Sequence, residues 1–372
     1  MSARGMAAAG LVVFGLLAAC GGESSDDGKG GSSTGGAAGG GGTSTGGTSA
    51  GGADAGGAGG SDAGGAAGSA PVGRCGDPVP AGVTEAKDPP KYSGGACPKL
   101  VAGSNTITSG AERKFILLVP KDLKSDEKPP VIFLWHWLGG SAQSFVDKGE
   151  LQAAVDTQRF IAVVPEKKGD LLFVWPVEII QSQPRVDEEL KFFDDLLACV
   201  SEAFPVDKNC VASAGVSAGA LWTDQLAAAR GDYLASFLSL SGGVGGVIRG
   251  WGKPAHKLPG LVLWGGPTDT CAGLLSFNTI SGTLEDELEK GGHFFMECVH
   301  NCGHSEPPMS GATGFSKYQF LWQFVMDHPF WLPAGASPYL KDGLPSFAPD
   351  WCGIGKGSAT PRTGECIDPS QC

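Results

Sequence analysis

The sequence is poor in positive charge. Its 372 residues contain 27 Lys and Arg against 39 Asp and Glu, and the formal net charge is −12 at neutral pH. No run of basic residues offsets this imbalance. Proteins bind nucleic acids through clustered Lys and Arg side chains that displace counterions from the phosphates. The composition therefore argues against a nucleic-acid partner.

Long hydrophobic runs are also scarce. The apolar run near the amino terminus is shorter than the roughly 20 residues that a membrane-spanning helix needs. The stretch MSARGMAAAGLVVFGLLAAC instead has the basic start, short apolar run and small residues of a secretory signal peptide. Its end, LAAC, resembles the lipobox of bacterial lipoproteins, which implies lipidation of Cys20 and a membrane anchor. An ordinary signal peptide cut nearby is the alternative. Both interpretations predict secretion, and the first predicts anchoring at the bacterial cell surface or outer membrane.

Residues 21–70 lack aromatic and large aliphatic side chains and consist almost entirely of Gly, Ala, Ser, Thr and Asp. Such a segment has nothing to bury that would offset the entropy of an ordered backbone. We therefore expect a lipoprotein-type signal peptide at 1–20 and a disordered tether at 21–70. Residues 75–372 then form one folded domain, with a Cys-containing tail from about residue 331.

Ten of the eleven cysteines fall in the predicted domain. An even number in a secreted chain indicates disulfides formed in an oxidising compartment. Sequence proximity favours two local bonds, Cys75–Cys97 and Cys199–Cys210. The other cysteines form two groups of three, so complete pairing needs at least one bond between the groups. The first group is Cys271, Cys298 and Cys302, and the second is Cys352, Cys366 and Cys372.

Short apolar runs alternate with helical patterns along the domain. Buried strands are predicted at KFILLVP (114–120), VIFLWH (131–136), FIAVVP (160–165), CVASAGV (210–216), FLSLSGG (237–243), LVLWGG (261–266) and HFFMECV (293–299). Helices are predicted at 187–204, 218–230 and 281–292. This order predicts an α/β fold with a mostly parallel sheet, helices on both faces and a ligand site beyond the carboxyl ends of the strands. The segment NTITSGAERKFILLVP predicts an antiparallel hairpin before that sheet.

The pattern G-x-S-x-G, which often presents a nucleophilic serine, occurs four times. Ser33, Ser44 and Ser49 lie in the predicted tether, where no packed scaffold holds a base beside them. Ser217 alone lies between a predicted strand and a predicted helix, the setting of a strained nucleophile turn. We predict that Ser217 is a nucleophile and that the free amide of Ala218 faces a developing oxyanion.

A serine nucleophile needs a base and an orienting carboxylate, and in this type of site the acid and then the histidine follow the serine. Asp269 in LVLWGGPTDTC lies just beyond a predicted strand and is the favoured acid. His304 in the loop HNCGHSEPP is the favoured base, with His300 as its rival. His293 and His328 are expected to be structural.

The same loop raises the possibility of a metal site. Cys298, His300, Cys302 and His304 alternate in a way that could ligate zinc. Disulfides are the stronger expectation for cysteines of a secreted chain, so we predict no metal. The loop after VIFLWH offers a second oxyanion amide, and we interpret His136 as the organiser of that loop.

Together these segments resemble the α/β-hydrolases of the extracellular polyhydroxybutyrate depolymerase and feruloyl esterase group. The matching pieces are LWHWLGGSAQSF, VDEELKFF, VASAGVSAGA, LWGGPTDT and NCGHSEP, which cover roughly residues 100–330 in the order of the group. The resemblance implies Ser217 as nucleophile, His304 as base and Asp269 as its partner. It also implies an oxyanion hole made by the amides of Leu138 and Ala218, and no cofactor.

One residue departs from the group, which usually has glycine directly after the loop histidine. Trp137 stands there, which predicts a narrower or indole-lined acyl pocket, and Trp175 is a second candidate to flank a phenolic or sugar ring. We expect a secreted serine esterase that acts on feruloyl or acetyl esters of plant polysaccharide. A polyhydroxyalkanoate such as polyhydroxybutyrate is the alternative substrate. A catalytically inactive surface binding lipoprotein is the alternative of another class.

Overall fold

A nine-stranded β-sheet organises the chain in a computed structural model, which describes residues 73–366 except 272 and 274. The strand order is β1-β2-β4-β3-β5-β6-β7-β10-β11. The strands are β1 (Gly103–Ser109), β2 (Ala111–Leu118), β3 (Val131–Trp135), β4 (Ile161–Pro165), β5 (Val211–Val216), β6 (Ser236–Leu240), β7 (Gly260–Trp264), β10 (Phe295–Val299) and β11 (Cys352–Ile354). Two short strands, β8 (Thr270–Cys271) and β9 (Leu275–Ser276), pair with each other outside this sheet. The predicted signal peptide and tether, including Cys20, lie outside the described residues.

The central strands run parallel, and both edges are antiparallel. The pairs β4–β3, β3–β5, β5–β6, β6–β7 and β7–β10 are parallel. The hairpin β1–β2 joins the sheet antiparallel to β4, and β11 closes the opposite edge antiparallel to β10. The prediction of a mostly parallel sheet with an amino-terminal hairpin is therefore confirmed.

Helices cover both faces of the sheet, and every residue of the central strands except the partly buried Val216 is buried. Within β3, Phe133 and Trp135 pack into one core, while Ile132 and Leu134 pack into the other. The helices are α1 (Ala142–Lys148), α2 (Leu151–Gln158), α3 (Gln183–Ala203), α4 (Ala218–Ala229), α5 (Phe277–Gly291), α6 (Gln319–Met326) and α7 (Tyr339–Asp342). The first core is covered by α3, α4 and α5, and the second by α1, α2, α6 and α7. Among residues 73–366, no helix has the length and apolar character needed to cross a bilayer.

The two local disulfides predicted from sequence proximity are wrong. The structure pairs Cys75 with Cys210 and Cys97 with Cys199. The reason lies in the segment before β1, which contains no helix or strand in its described part and packs along α3 and the start of β5. Its backbone is held there by hydrogen bonds, such as the one from the Ser93 amide to Asp195 Oδ1 (2.8 Å). Each cysteine of this segment therefore meets a partner more than 100 residues away.

The predicted bonding between the two later groups of cysteines is confirmed. Cys298 pairs with Cys352, and Cys302 pairs with Cys366. Cys271 is also disulfide-bonded, and Cys372 lies outside the described residues. Because Cys298 and Cys302 are held in disulfides, neither offers a thiolate to a zinc ion.

Candidate active site

Ser217 occupies a strained turn between β5 and α4. Its backbone angles, φ of 54° and ψ of −120°, fall in a region that residues other than glycine rarely adopt. The turn is held against the sheet, because the Ser217 amide donates to the Leu240 carbonyl at the end of the neighbouring strand β6 (2.9 Å). The side chain is consequently lifted above the carboxyl edge of the sheet, as in the strand-to-helix turn of serine hydrolases.

The glycines on either side of Ser217 are required by close backbone contacts. A Cβ atom at Gly215 would lie 2.1 Å from the Gly219 carbonyl oxygen. A Cβ atom at Gly219 would lie 1.9 Å from the Trp135 carbonyl oxygen at the end of β3. Side chains at these positions would therefore push β3, β5 and α4 apart.

Three predicted residues meet in one hydrogen-bonded chain. The Ser217 hydroxyl donates to His304 Nε2 (2.8 Å), and His304 Nδ1 donates to Asp269 Oδ1 (2.7 Å). The imidazole also stacks on Phe277, with 4.3 Å between ring centroids and 12° between ring planes. This packing fixes the ring plane while the carboxylate fixes the tautomer, so Nε2 is left to accept the serine proton.

Asp269 is fully buried and has hydrogen bonds at both oxygens. Oδ1 faces His304, whereas Oδ2 accepts from the Ser241 hydroxyl (2.7 Å) and the Gly265 amide (2.7 Å). A buried carboxylate needs this degree of pairing to remain charged. Ser241 was not among the predicted site residues. The sequence signal that could have identified Ser241 is the Ser-Gly-Gly turn directly after the strand FLSL, because ligand sites form beyond the carboxyl ends of such strands.

The two amides predicted for the oxyanion hole lie on separate elements. Ala218 opens α4, and the first helical hydrogen bonds to the Ser217 carbonyl come from Ala220 and Leu221. The Ala218 amide is thus a free donor at the positive end of the helix dipole. Leu138 lies in the loop between β3 and α1 and is partly buried. Among the described residues, no backbone carbonyl accepts from the amide of Leu138 or of Ala218.

A buried group of side chains supports the loop that carries Leu138. His136 is fully buried, donates from Nδ1 to the Trp137 carbonyl (2.9 Å) and has Nε2 3.4 Å from Glu166 Oε1. The Ala142 amide, at the start of α1, donates to Glu166 Oε2 (2.9 Å). Burial alone would raise the pKa of Glu166. The His136 ring and the Ala142 amide lower it by more than burial raises it, and the resulting pKa is about 2. Glu166 therefore remains charged and joins the loop to α1.

The two predicted substrate-binding tryptophans lie in different surroundings. Trp175 is fully buried, packs edge-on against Trp135 and donates from its indole to the His136 carbonyl (2.9 Å). Because no part of Trp175 reaches solvent, its predicted substrate contact is wrong. The residue instead supports the loop between β3 and α1 through its hydrogen bond to His136. Trp137 is partly buried and packs on Phe145 of α1 (5.9 Å between centroids).

His300, the rival base, lies away from the serine hydroxyl. Its Nδ1 accepts from the Cys302 amide (3.2 Å), and its ring packs edge-on against Trp351 (5.9 Å). Burial lowers the pKa of His300 to about 4. His293 and His328 are also packed against the core, with backbone carbonyls as partners.

An exposed aliphatic surface lies at the same edge of the sheet as Ser217. The loop after β4 and the loop after β6 pair there, and the Ile179 amide donates to the Val247 carbonyl (3.0 Å). Ile179, Ile180 and Val247 are 59%, 80% and 58% exposed. We call these three residues the apolar cap.

Comparison with known proteins gives one curated relative and many structural neighbours. No protein-family model matches the chain. Feruloyl esterase D of Neurospora crassa is 27% identical over 157 residues, which cover 41% of this chain and 54% of the relative. The match thus spans about half of that protein's length.

Two native crystal structures, of proteins named pOPH and sOPH, superpose on the chain with a TM-score of 0.56 each. They are each 16% identical to it, and the superpositions cover 70% and 71% of this chain and 97% and 99% of the neighbours. The superpositions show a shared fold, and at 16% identity they show nothing beyond the fold. The predicted α/β-hydrolase fold, with its mostly parallel sheet and its strand-to-helix turn at Ser217, is therefore confirmed, and the match to a feruloyl esterase agrees with the resemblance to the esterase group that the motifs indicate.

Proposed function

We propose that the protein is a carboxylic-ester hydrolase that works through an acyl-enzyme on Ser217. The observation that carries this proposal is the continuous hydrogen-bonded chain from Ser217 through His304 to the buried Asp269, with distances of 2.8 and 2.7 Å. A serine hydroxyl with a held base and an oriented carboxylate is the arrangement that activates serine for acyl transfer.

The reaction follows from this geometry. His304 Nε2 takes the hydroxyl proton as Ser217 Oγ attacks the ester carbonyl, and the amides of Leu138 and Ala218 stabilise the tetrahedral oxyanion. The imidazolium then donates its proton to the departing alcohol, which leaves an acyl group on Ser217. Water, deprotonated by His304, then attacks the acyl carbon, and the bond to Ser217 Oγ breaks as the imidazolium returns its proton to that oxygen and the acid is released. Asp269 remains ionised throughout and stabilises the imidazolium.

We propose feruloyl or acetyl esters of plant polysaccharide as the first substrate class. The curated relative is named a feruloyl esterase, and the match to it supports this choice. Trp137 remains a predicted wall of the acyl pocket. The disulfides suit an oxidising compartment, so we also propose that the protein is secreted. Lipidation of Cys20, the tether at 21–70 and anchoring at the bacterial surface stay predictions from the sequence.

A polyhydroxyalkanoate is the second candidate substrate, and the apolar cap favours it. Its three side chains are aliphatic rather than aromatic, and they belong to loops that leave the carboxyl edge of the sheet, the edge at which Ser217 also lies. Aliphatic side chains suit an aliphatic polyester, whereas sugar rings are usually bound by aromatic faces and hydrogen bonds. The third alternative, an inactive binding lipoprotein, has less support because the hydrogen-bonded chain is complete.

Two measurements test the proposal. The parent protein should hydrolyse p-nitrophenyl acetate and react with a fluorophosphonate probe, and Ser217→Ala should abolish both. Ser310→Ala is the matched control, since Ser310 is exposed, and it should behave as the parent. Turnover that survives Ser217→Ala would disprove the assignment. Release of ferulate or acetate from plant cell-wall polysaccharide, compared with release of hydroxybutyrate from polyester particles, then decides the substrate class.

A further inference from the structure

We propose that the carboxy-terminal segment Trp351–Cys366 is a positioning element of the active site that holds His304 in register with Ser217. We call this segment the tail clamp. The inference rests on the proposed function and extends it to a part of the chain outside the region of motif resemblance. It concerns the loop between β10 and His304, which consists of residues 300–303.

The tail clamp first fixes the strand that leads into this loop. Its strand β11 lies antiparallel to β10, and the disulfide Cys298–Cys352 joins two directly facing residues. On β10, the Val299 amide donates to the Trp351 carbonyl (3.0 Å), and the Val299 carbonyl accepts from the Arg362 amide (3.0 Å). Both backbone groups of the last residue of β10 are therefore bound by the clamp.

The clamp also fixes the loop itself. Cys302, two residues before His304, is bonded to Cys366. The Asn301 side chain donates to the Gly364 carbonyl (2.7 Å), and Arg362 Nη1 donates to Asn301 Oδ1 (2.8 Å). The Arg362 guanidinium also donates to the Gly364 and Glu365 carbonyls (2.9 Å each), which folds the end of the clamp around the loop.

The opposite side of the loop rests on the acid loop. The His300 amide donates to the Trp264 carbonyl (3.0 Å), and the Gly303 amide donates to the Gly265 carbonyl (3.1 Å). The loop is therefore held between the segment that carries Asp269 and the tail clamp. Without the clamp, one side of the loop would lose a disulfide and the two hydrogen bonds of Asn301, while the acid loop would remain in place.

Loss of this support should reduce catalysis more than substrate binding. His304 must keep contact with both Ser217 and Asp269, and a displacement of about 1 Å in a catalytic group lowers rates by about 100-fold. The loop residues make no acyl or alcohol contact that would set KM in the proposed mechanism. A change confined to the loop should therefore appear in kcat.

The test compares two disulfide deletions with p-nitrophenyl acetate as substrate. Cys302→Ser/Cys366→Ser should lower kcat at least about 10-fold, with KM within about 2-fold of the parent. Cys75→Ser/Cys210→Ser is the matched control: it removes a disulfide that closes a longer loop, 135 against 64 residues apart in sequence, and it should keep the parent kcat. A kcat for Cys302→Ser/Cys366→Ser within 2-fold of the parent, or an equal loss in both variants, would overturn the inference.

Arg362→Ala gives a second readout in which all disulfides remain. It should lower kcat by several fold. It should also change the acidic limb of the kcat/KM pH profile, because the contact between His304 and Asp269 would be altered. Arg362→Lys should restore part of the loss. These two variants decide the matter if the double serine variant does not fold. The parent is measured first: an inactive parent contradicts the proposed function, whereas an active parent with unaffected clamp variants contradicts only the clamp.

Discussion

At the residue scale, two strained serines stand side by side at the ends of β5 and β6. Ser217 has a φ of 54° and Ser241 a φ of 51°, and both lie at the carboxyl edge of the sheet. Their backbones are linked through β6, since Leu240 accepts from the Ser217 amide and directly precedes Ser241. One hydroxyl contacts the base and the other contacts the acid. Strain of this kind is retained where the side chain is needed.

Ser241→Gly separates the strain at this position from the hydroxyl. Glycine adopts a positive φ without steric penalty. Apart from the stability lost with the hydrogen bond, the variant should therefore be at least as stable as the parent. Asp269 Oδ2 would lose one of its two donors, and we expect kcat/KM to fall about 10-fold, equivalent to roughly 1.4 kcal/mol. Thermal unfolding and ester turnover check both expectations.

Ser241→Ala is the companion variant, because it lacks the hydroxyl but retains a Cβ at positive φ. Its activity should fall as in Ser241→Gly, while its melting temperature should fall below that of the glycine variant. Full activity in both variants would show that the Gly265 amide alone suffices to orient Asp269.

Asp224 on α4 predicts a pH-dependent stability. It is fully buried, with Oδ2 accepting from the Ser239 hydroxyl (3.0 Å) and the Gly243 amide (2.7 Å). Burial raises its pKa to about 8 despite these hydrogen bonds. The unfolded carboxyl titrates near its ordinary pKa of about 4, so unfolding releases a proton between about pH 4 and 8 and the free energy of unfolding falls as pH rises through that window.

Asp224→Asn should therefore remove this pH dependence of the free energy of unfolding. The amide oxygen can accept both hydrogen bonds and the side chain cannot ionise, so its advantage over the parent should grow from pH 5 to pH 8. Chemical denaturation at the two pH values measures this difference. Asp342→Asn, at an exposed position, is the control and should show no such trend. A parallel pH dependence of parent and Asp224→Asn would contradict the expectation.

Residue roles could be predicted from the sequence only where chain order constrains them. Asp269 and His304 follow Ser217 beyond the ends of successive strands, and parallel strands bring such ends to one edge. Ser241 depends instead on β6 lying beside β5 and on a single backbone turn. The depth of Trp175 depends on how the loop after β4 folds back over β3, which local composition does not determine.

At the element scale, the acid loop and the histidine loop touch through their backbones. A Cβ atom at Gly265 would lie 1.8 Å from the Gly303 carbonyl oxygen. Strands β7 and β10 are parallel neighbours, so the loops that follow them leave the sheet side by side. The absence of a side chain at Gly265 lets them approach closely enough for Asp269 and His304 to share a hydrogen bond.

Gly265→Ala should therefore disrupt the site without unfolding the sheet. The added methyl group would push the two loops apart, and we expect a loss of at least about 100-fold in kcat/KM together with about 1–3 kcal/mol of stability from overpacking. Gly250→Ala is the matched control, because a Cβ atom there would meet nothing within 4 Å. Activity near the parent level in Gly265→Ala would contradict the close contact.

Most strands of the large sheet, and three of the seven helices in the described residues, could be predicted because their apolar patterns are strong. The helices predicted at 187–204, 218–230 and 281–292 are observed at Gln183–Ala203, Ala218–Ala229 and Phe277–Gly291. The carboxy-terminal strand β11 could not be predicted, since its three residues carry no pattern and exist as a strand because a disulfide and β10 hold them.

At the scale of the whole molecule, disulfides connect the segment before β1 to the domain. Cys97→Ser/Cys199→Ser removes a bond between residues 102 apart, and loop entropy alone predicts a loss of about 4–5 kcal/mol in the free energy of unfolding. This bond joins the segment before β1 to α3, and none of the predicted catalytic residues belongs to either, so kcat at 25 °C should be unchanged. Denaturant titration and ester turnover measure the two quantities. A large loss of kcat in the folded variant would contradict the separation of this bond from the site.

The pairing of Cys75 and Cys97 with distant partners has a consequence for how the protein folds. Cys97 follows Cys75 closely, whereas the native partners of both cysteines are synthesised more than 100 residues later. Oxidation in the order of synthesis would therefore join Cys75 to Cys97 first. Native protein then forms only after thiol–disulfide exchange, so its yield should depend on an exchange catalyst or a thiol buffer rather than on oxidant alone.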